Sequence, residues 1–332
     1  MTGERVHEVV DRVFRIPLPT GFPVGDVNVY LVDGPEPVLI DTGVSGAPSL
    51  DVLAAALGAV GRRLEQIHTV LLTHVHVDHA GSSQAIRQAA GAQVFLHPRA
   101  HRRLVDVDRA HEAGLGWFRR FMVESGFSDE FVERYMAVSG MYLHYAESCP
   151  ELRPVVDGDR FELDGRRYLT AVETFGHTSH HVGYVLEPER ILFSGDHLLP
   201  HITSNPTLEA PAAPEEEKPR PLLLYRESLR RLLRSSFAVA CPGHHRPFRD
   251  VAARCRELLE HQQRRCEQLL EVVVELGSAT RKQLSLALFG KVPTWEVYLT
   301  LSEVQAAIEV LEADGRLRVR REQGLVRVAP AA

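Results

Sequence analysis

The sequence runs to 332 residues, more than one ordinary hydrophobic core accommodates, so a large domain with a small companion is expected. With 44% hydrophobic and 25% charged residues the chain can fill a core, which excludes wholesale disorder, collagen and low complexity; no run approaches the roughly 18–20 apolar residues of a membrane span. Its 38 basic and 44 acidic residues leave a formal charge of −6, which argues against a protein dedicated to nucleic acid.

In chain order, Met1 to Phe14 mixes acids and bases without an apolar h-region, so no secretory signal is expected. Glu8 to Ile16 and Asp26 to Val32 alternate apolar and polar residues, as half-buried strands do. Pro37 to Gly43 is a short apolar run ending in a turn, and Pro48 to Val60 has helical spacing at Leu50, Leu53, Ala54 and Leu57. Ile67 to Leu72 is a buried strand that runs into the segment His74, His76, Asp78, His79 and Gly81. A helix over Ser82 to Ala90 and a strand at Val94 to Leu96 follow. From 98 to 149 the strand signal vanishes and apolar residues recur at helical spacing (Trp117, Phe118, Phe121, Met122), with Ser128 as an N-cap. This stretch reads as a helical insertion and a candidate lid.

Strands resume as two hairpins. Arg160–Leu163 and Tyr168–Thr174 flank Asp164-Gly165, and Val182–Leu186 and Ile191–Phe193 flank Glu187 to Arg190. Pro206, Pro211, Pro214, Pro219 and Pro221, with Glu215 to Glu217, mark 205–221 as a mobile surface loop. Leu222 to Arg234 is helical, and Phe237 to Cys241 is a short strand entering Pro242, Gly243, His244 and His245. Asp250 to Glu275 is a long amphipathic helix. A capping box at Thr280 and Gln283 opens a short helix, Tyr298 to Asp314 forms another, and Leu317–Arg320 pairs with Leu325–Val328 around Gln323-Gly324. Helices followed by a hairpin is the winged-helix order. The boundary falls near residue 260, giving units of 1–259 and 260–332. Cys149, Cys241, Cys255 and Cys266 form no CxxC pair, and Cys255 and Cys266 lie about 16 Å apart along one helix. Reduced thiols and a cytoplasmic address are expected.

The chemistry sits among the 17 histidines. On a chain leaving a strand, His74 and His76 face the same side and can share one ion. Asp78 and His79 follow in a turn that can present them to a second. His177, Asp196 and His244 each lie just past a strand end and beside a glycine, so all seven could converge on one edge of a sheet sandwich. Imidazole and carboxylate without cysteine suits zinc, iron or manganese.

These motifs, with Asp41 in Leu-Ile-Asp-Thr-Gly, resemble in order the five motifs of the metallo-β-lactamase superfamily of hydrolases, over about residues 8–250. The resemblance implies an α/β fold, the αββα sandwich, and two divalent metal ions, zinc first and iron or manganese as alternatives. It implies that His74, His76 and His177 hold one metal and Asp78, His79 and His244 the other, with Asp196 bridging. Asp41 would orient a ligand histidine. His245 offers an alternative to His244, which is preferred because it directly follows Pro-Gly. Two cations would hold a hydroxide near neutral pH, with Asp78 orienting it or accepting its proton. No Gly-x-Ser-x-Gly elbow is present. His181 occupies the second histidine of a pattern similar to Gly-His-Thr-x-Gly-His in glyoxalase II, and a supporting role is expected. His197 and His201 are candidates for the pocket or its rim, and His144 and Tyr145, ending the insertion, for substrate contacts.

The metal motifs are most similar to glyoxalase II and its relatives, which implies a small thioester or ester as substrate. The insertion and the Pro-rich loop differ from that enzyme, so hydroxyacylglutathione itself is not expected. The winged-helix order at the tail resembles the β-lactamase-like endoribonucleases. Against RNA, residues 298–314 carry Glu303, Glu309, Glu312 and Asp314 with no lysine or arginine, and residues 256–332 balance at 11 basic against 11 acidic. The wing is nevertheless basic (Arg316, Arg318, Arg320, Arg321, Arg327). A tail that packs, or that joins two chains in a homodimer, is the preferred expectation, with a lactonase and a one-iron persulfide dioxygenase as further alternatives. A true β-lactamase is disfavoured by the pairing of Asp78 with Asp196.

Overall fold

In a computed structural model, residues 6–211 and 216–331 are described. The segment Glu8 to Ile16 is not one strand. Arg12 adopts φ 57°, in the left-handed region, and folds it into a hairpin of β1 (His7–Val10) and β2 (Val13–Leu18). Nor is the next strand half-buried. β3 (Val27–Val32) is buried throughout, because Val27, Val29 and Leu31 face an outer helical layer while Tyr30 and Val32 face the second sheet.

Among the described residues the first sheet runs β1-β2-β3-β4-β5-β6-β7, adding β4 (Val38–Ile40), β5 (Thr69–Leu71), β6 (Gln93–Leu96) and β7 (Arg153–Pro154). Pairing is antiparallel as far as β4 and parallel beyond it. The second sheet runs β12-β11-β10-β9-β8, from β8 (Arg160–Glu162), β9 (Tyr168–Glu173), β10 (Val182–Glu187), β11 (Ile191–Gly195) and β12 (Val239–Pro242). The sheets meet face to face over Tyr30, Ile40, Leu71, Tyr184 and Phe193. The Tyr184 hydroxyl donates across that core to the Leu72 carbonyl at 2.9 Å. Helices α1 (Ala47–Ala59) and α3 (Ser83–Ala90) cover the outside of the first sheet. Helices α7 (Pro221–Leu232) and α8 (Val251–Leu276) cover the second, through Tyr225, Leu229 and Leu258. The layers are therefore helix, sheet, sheet, helix.

The insertion holds α4 (His101–Val105), α5 (Val107–Glu124), α6 (Asp129–Ser139) and a 3₁₀ turn at Gly140–Tyr145. Ser128 caps α6 by accepting from Phe131 N. Helices α5 and α6 do not lie over the sheet alone. Phe121, Met122, Val132 and Tyr135 pack with Leu208 and with Val297 and Leu301 of the C-terminal part.

That part comprises β13 (Ala279–Thr280), α9 (Arg281–Phe289), α10 (Val297–Ala313) and the hairpin β14 (Leu317–Glu322) and β15 (Leu325–Pro330), in sheet order β13-β15-β14. The Thr280–Gln283 capping box is present, and Gly315 (φ 69°) follows α10. Residue 260 falls in the middle of the unbroken α8, and one apolar cluster joins Leu192 and Tyr225 to Leu311, Leu317 and Val328. Helix α10 is buried over most of its length, so truncating Leu301 or Leu311 would cost about 2–5 kcal/mol. No helix among the described residues is long and apolar enough to cross a membrane.

Within 205–221, residues 206–209 depart from the expected surface loop. Pro206, Thr207, Leu208 and Glu209 are buried, and Lys218 pairs with Glu309 of α10. The sequence shows prolines and polar residues there but not that their backbone groups are bonded inward. Residues 212–215 of that segment, including Pro214 and Glu215, lie outside the described residues.

Candidate metal centre

The site assembles at the rim where β5, β9, β11 and β12 end. β5 delivers Thr73 and His74. His76 stays extended (φ −62°, ψ 147°) before the single turn α2 (Val77–Ala80), which carries Asp78 and His79. His177 follows β9, Asp196 ends β11 and His244 ends β12. His74 Nε2 and His177 Nε2 each lie 2.9 Å from His76 Nδ1. Beside them, His244 Nε2 is 3.3 Å and His79 Nε2 3.9 Å from Asp78 Oδ2. Asp196 sits between the two groups, 3.4 Å from His79 Nε2, 3.7 Å from His244 Nε2 and 3.8 Å from His177 Nε2. Three overlapping sets could each hold an ion: His74, His76 and His177; His74, His79 and Asp196; Asp78, His79 and His244. All seven residues expected from the sequence are thus brought together. His245 is turned away, with its ring 5.9 Å from that of His201.

Their outer hydrogen bonds assign the ring tautomers. The Thr73 hydroxyl donates to the Asp41 carboxylate, so it must accept from His74 Nδ1–H at 3.0 Å, leaving Nε2 bare. His177 Nδ1 donates to the Asn205 carbonyl, His244 Nδ1 to the Asp26 carbonyl and His79 Nδ1 to Asp41 Oδ2, at 2.9, 2.9 and 2.8 Å. The inner nitrogens of His74 and His177 are then lone pairs aimed at His76 Nδ1, while those of His79 and His244 face the Asp78 and Asp196 carboxylates. His79 Nε2 and Asp196 Oδ1 are buried with no hydrogen-bond partner among the described residues. Converging nitrogens and carboxylates, with the outer N–H of His74, His79, His177 and His244 anchored, fit divalent cations.

Electrostatics agree. Burial, reinforced by neighbouring imidazoles, pushes His74 well below the usual histidine value and His76 down to about 3, so these rings are neutral at pH 7. Burial also lowers His177. At His79 burial acts in the same direction, but Asp196, Asp78 and Asp41 outweigh it and raise the ring well above its ordinary value. For Asp196 burial favours the neutral acid, yet His244, His79 and His177 hold it well below the carboxylate range. The carboxylate side of the site demands positive charge.

Close packing leaves little slack. A Cβ on Gly243 would overlap Asp196 Oδ1 and stand 2.7 Å from His79 Cε1. Asp41 is held at φ 62°, a conformation Asp tolerates better than most residues. Its carboxylate accepts from Thr73 N at 2.8 Å, tying β5 to His79.

The weaker candidates separate. His181 is buried, with Nδ1 2.8 Å from Thr174 Oγ1 and Nε2 accepting from Asp196 N at 3.2 Å, so its lone pair is spent on the backbone that carries Asp196. His197 is buried, its ring 4.5 Å from that of Tyr225 and 6.0 Å from that of His181. His201 and His144 are exposed. Tyr145 is exposed as well, edge-on to Phe22 at 5.2 Å, and its carbonyl accepts from Ser45 N at 2.8 Å beside α2. Thr73, Asp26 and Asn205 were not expected at the site. Thr73 adjoins the histidine cluster and could have been suspected, but the other two act through carbonyls that every residue possesses.

The family model described as the metallo-beta-lactamase superfamily matches residues 22–244. A probable metallo-hydrolase of Bacillus subtilis, YqjP, is 32% identical over 310 residues, 91% of this chain and 92% of that protein. The atrochrysone carboxyl ACP thioesterase of Aspergillus fumigatus is 26% identical over 278 residues, 80% of this chain and 69% of the relative. Among solved structures, a metallo-beta-lactamase family protein of Thermus thermophilus superposes with TM-score 0.81 at 29% identity, covering 97% of this chain and 100% of the other. A beta-lactamase domain protein of Burkholderia ambifaria superposes with TM-score 0.83 at 22% identity, covering 99% and 95%, which speaks to fold alone.

Proposed function

Because this chain belongs to the metallo-beta-lactamase superfamily, we propose that it is a metal-dependent hydrolase acting on a small thioester or ester. The observation that carries the reading is the convergence of five imidazoles and two carboxylates, with the outer N–H of His74, His79, His177 and His244 each anchored. Two divalent ions held there, zinc by preference, would supply Lewis acidity and a hydroxide at neutral pH. His74, His76 and His177 would hold one, Asp78, His79 and His244 the other, and Asp196 both. The completeness of the second group favours two metals over the single iron of a persulfide dioxygenase.

The chain's own residues divide the remaining work. Asp78, whose carboxyl is lowered chiefly by His79 and His244 against the effect of burial, stays ionised and can orient a water or accept its proton. Phe22, Tyr142 and Tyr145 form an edge-to-face aromatic group beside α2, suited to an apolar acyl chain. The thioesterase named among the relatives supports a thioester. Asp78→Asn should abolish hydrolysis of an acyl thioester while leaving the circular dichroism spectrum unchanged; near-normal turnover would overturn the role. A panel of thioesters, lactones, phosphodiesters and short RNA tests the substrate class.

We read residues 260–332 as a winged-helix unit that packs rather than reads nucleic acid. The helix that would enter a groove, α10, is buried against the rest of the protein and carries no basic residue. The four free, buried cysteines support a cytoplasmic address.

A further inference from the structure

The segment Ser204–Glu209 links the metal centre to the C-terminal helix α10. On its inner side it grips the His177 loop. The Asn205 carbonyl accepts from His177 Nδ1, Thr207 N and Oγ1 both donate to the His177 carbonyl at 3.0 and 2.6 Å, and Glu209 accepts from Ser179 N at 2.6 Å. On its outer side the same six residues are fastened to α10. Asn205 Nδ2 donates to the Leu299 carbonyl at 2.9 Å, Leu208 N to Ser302 Oγ at 3.1 Å, and the Tyr298 hydroxyl to the Leu208 carbonyl at 2.6 Å. Leu208 is also locked between Phe121, Tyr135, Val297 and Leu301.

From this strap we infer that α10 positions a metal ligand: Tyr298 and Ser302, through Leu208 and Asn205, set the orientation of the His177 imidazole. They are positioning residues, with no contact to substrate. The inference rests on His177 being a ligand, as proposed above. Both groups within hydrogen-bonding reach of His177 Nδ1 belong to the strap, the Asn205 carbonyl at 2.9 Å and Ser204 Oγ at 2.8 Å, and α10 dictates where that backbone lies. Outer partners of ligand histidines fix both tautomer and aim, and their loss typically weakens metal binding about 10–100-fold. The tail would thus be part of the catalytic unit.

The test titrates zinc(II) into the metal-free full-length protein against a chromophoric chelator, alongside the unfolding midpoint of the metal-free form. Tyr298→Phe is isosteric and removes one strap bond; Tyr298→Phe with Ser302→Ala removes two. Ser285→Ala, which deletes the hydrogen bond to Thr300 Oγ1 on α10 away from the strap, is the control. The expected result is zinc affinity lower by about threefold in Tyr298→Phe and tenfold in the double variant, at one site of two, with the control unchanged at a comparable loss of midpoint. Wild-type affinity in both strap variants, or equal weakening in the control, overturns the inference while leaving the metal reading intact. A wild-type protein that binds no zinc overturns both.

Discussion

Asp41→Asn isolates one proton. The side chain is buried and accepts at both oxygens, from Thr73 N at 2.8 Å and from His79 Nδ1 at 2.8 Å. A carboxamide keeps one acceptor and presents an NH₂ in place of the other. If its oxygen faces Thr73, the NH₂ confronts His79 Nδ1–H, and the imidazole must move its proton to Nε2, the atom 3.4 Å from Asp196. A protonated nitrogen cannot ligate. If instead the oxygen faces His79, two N–H donors meet in the interior, costing about 1–3 kcal/mol. Backbone strain is not a confounder, because Asn tolerates φ 62° as well as Asp does. The expected loss is about 10–100-fold in affinity for the metal on the His79 side, about 1.4–2.8 kcal/mol, with a smaller loss at the three-histidine group, because the Thr73 hydroxyl that anchors His74 also donates to this carboxylate. Competitive zinc titration and metal content after dialysis read it directly. Two zinc ions bound with wild-type affinity would refute the tautomer argument.

Other expectations are independent of that proton. Gly243→Ala forces a Cβ into Asp196 and His79 and should cost about 1–3 kcal/mol in unfolding free energy with a sharp loss of bound metal; full metal content would contradict the packing. Glu209 is buried, which alone would raise its carboxyl, but His180, Arg103 and the Ser179 amide hold it well below the usual range. With the folded value depressed, its stabilisation is fully present above the unfolded pKa of about 4.3 and fades as pH falls below it. Glu209→Gln should therefore be less stable than wild type at pH 7, by about 1–3 kcal/mol, with the gap narrowing in acid; urea titrations of the metal-free proteins at pH 7 and at about pH 3.5 check this. All four cysteines are buried, and burial raises the thiols of Cys149 to about 11 and Cys255 to about 12, so a disulfide reagent at about pH 8 should label none in the native protein and all four in denaturant.

What was legible in the sequence is what short spacing encodes. His74 and His76 two apart on an extended chain, Asp78 and His79 in the next turn, and the candidate ligands beside Gly176, Gly195 and Gly243 all meet in space, because a strand end fixes direction and glycine allows the approach. Departures arose where a residue acts against its type. Arg12 makes a turn that sequence habits assign to Gly or Asn, so two strands read as one. Proline-rich 205–211 read as surface because composition reports solubility, whereas burial there follows from hydrogen bonds to α10 and to the His177 loop.

The deeper reason concerns which atoms do the supporting. Asp41 anchors His79 with a side chain, and a side chain can be spotted. His177 and His244 are anchored by the carbonyls of Asn205 and Asp26, and a carbonyl leaves no trace in residue identity. Its placement is decided by whatever holds that stretch of backbone, which for Asn205 is a helix about ninety residues further along the chain. Candidate ligands can therefore be read from a sequence while their aim cannot. It follows that, for the metal held through His177, residues remote from it such as Tyr298 and Ser302 should matter although they touch no candidate ligand.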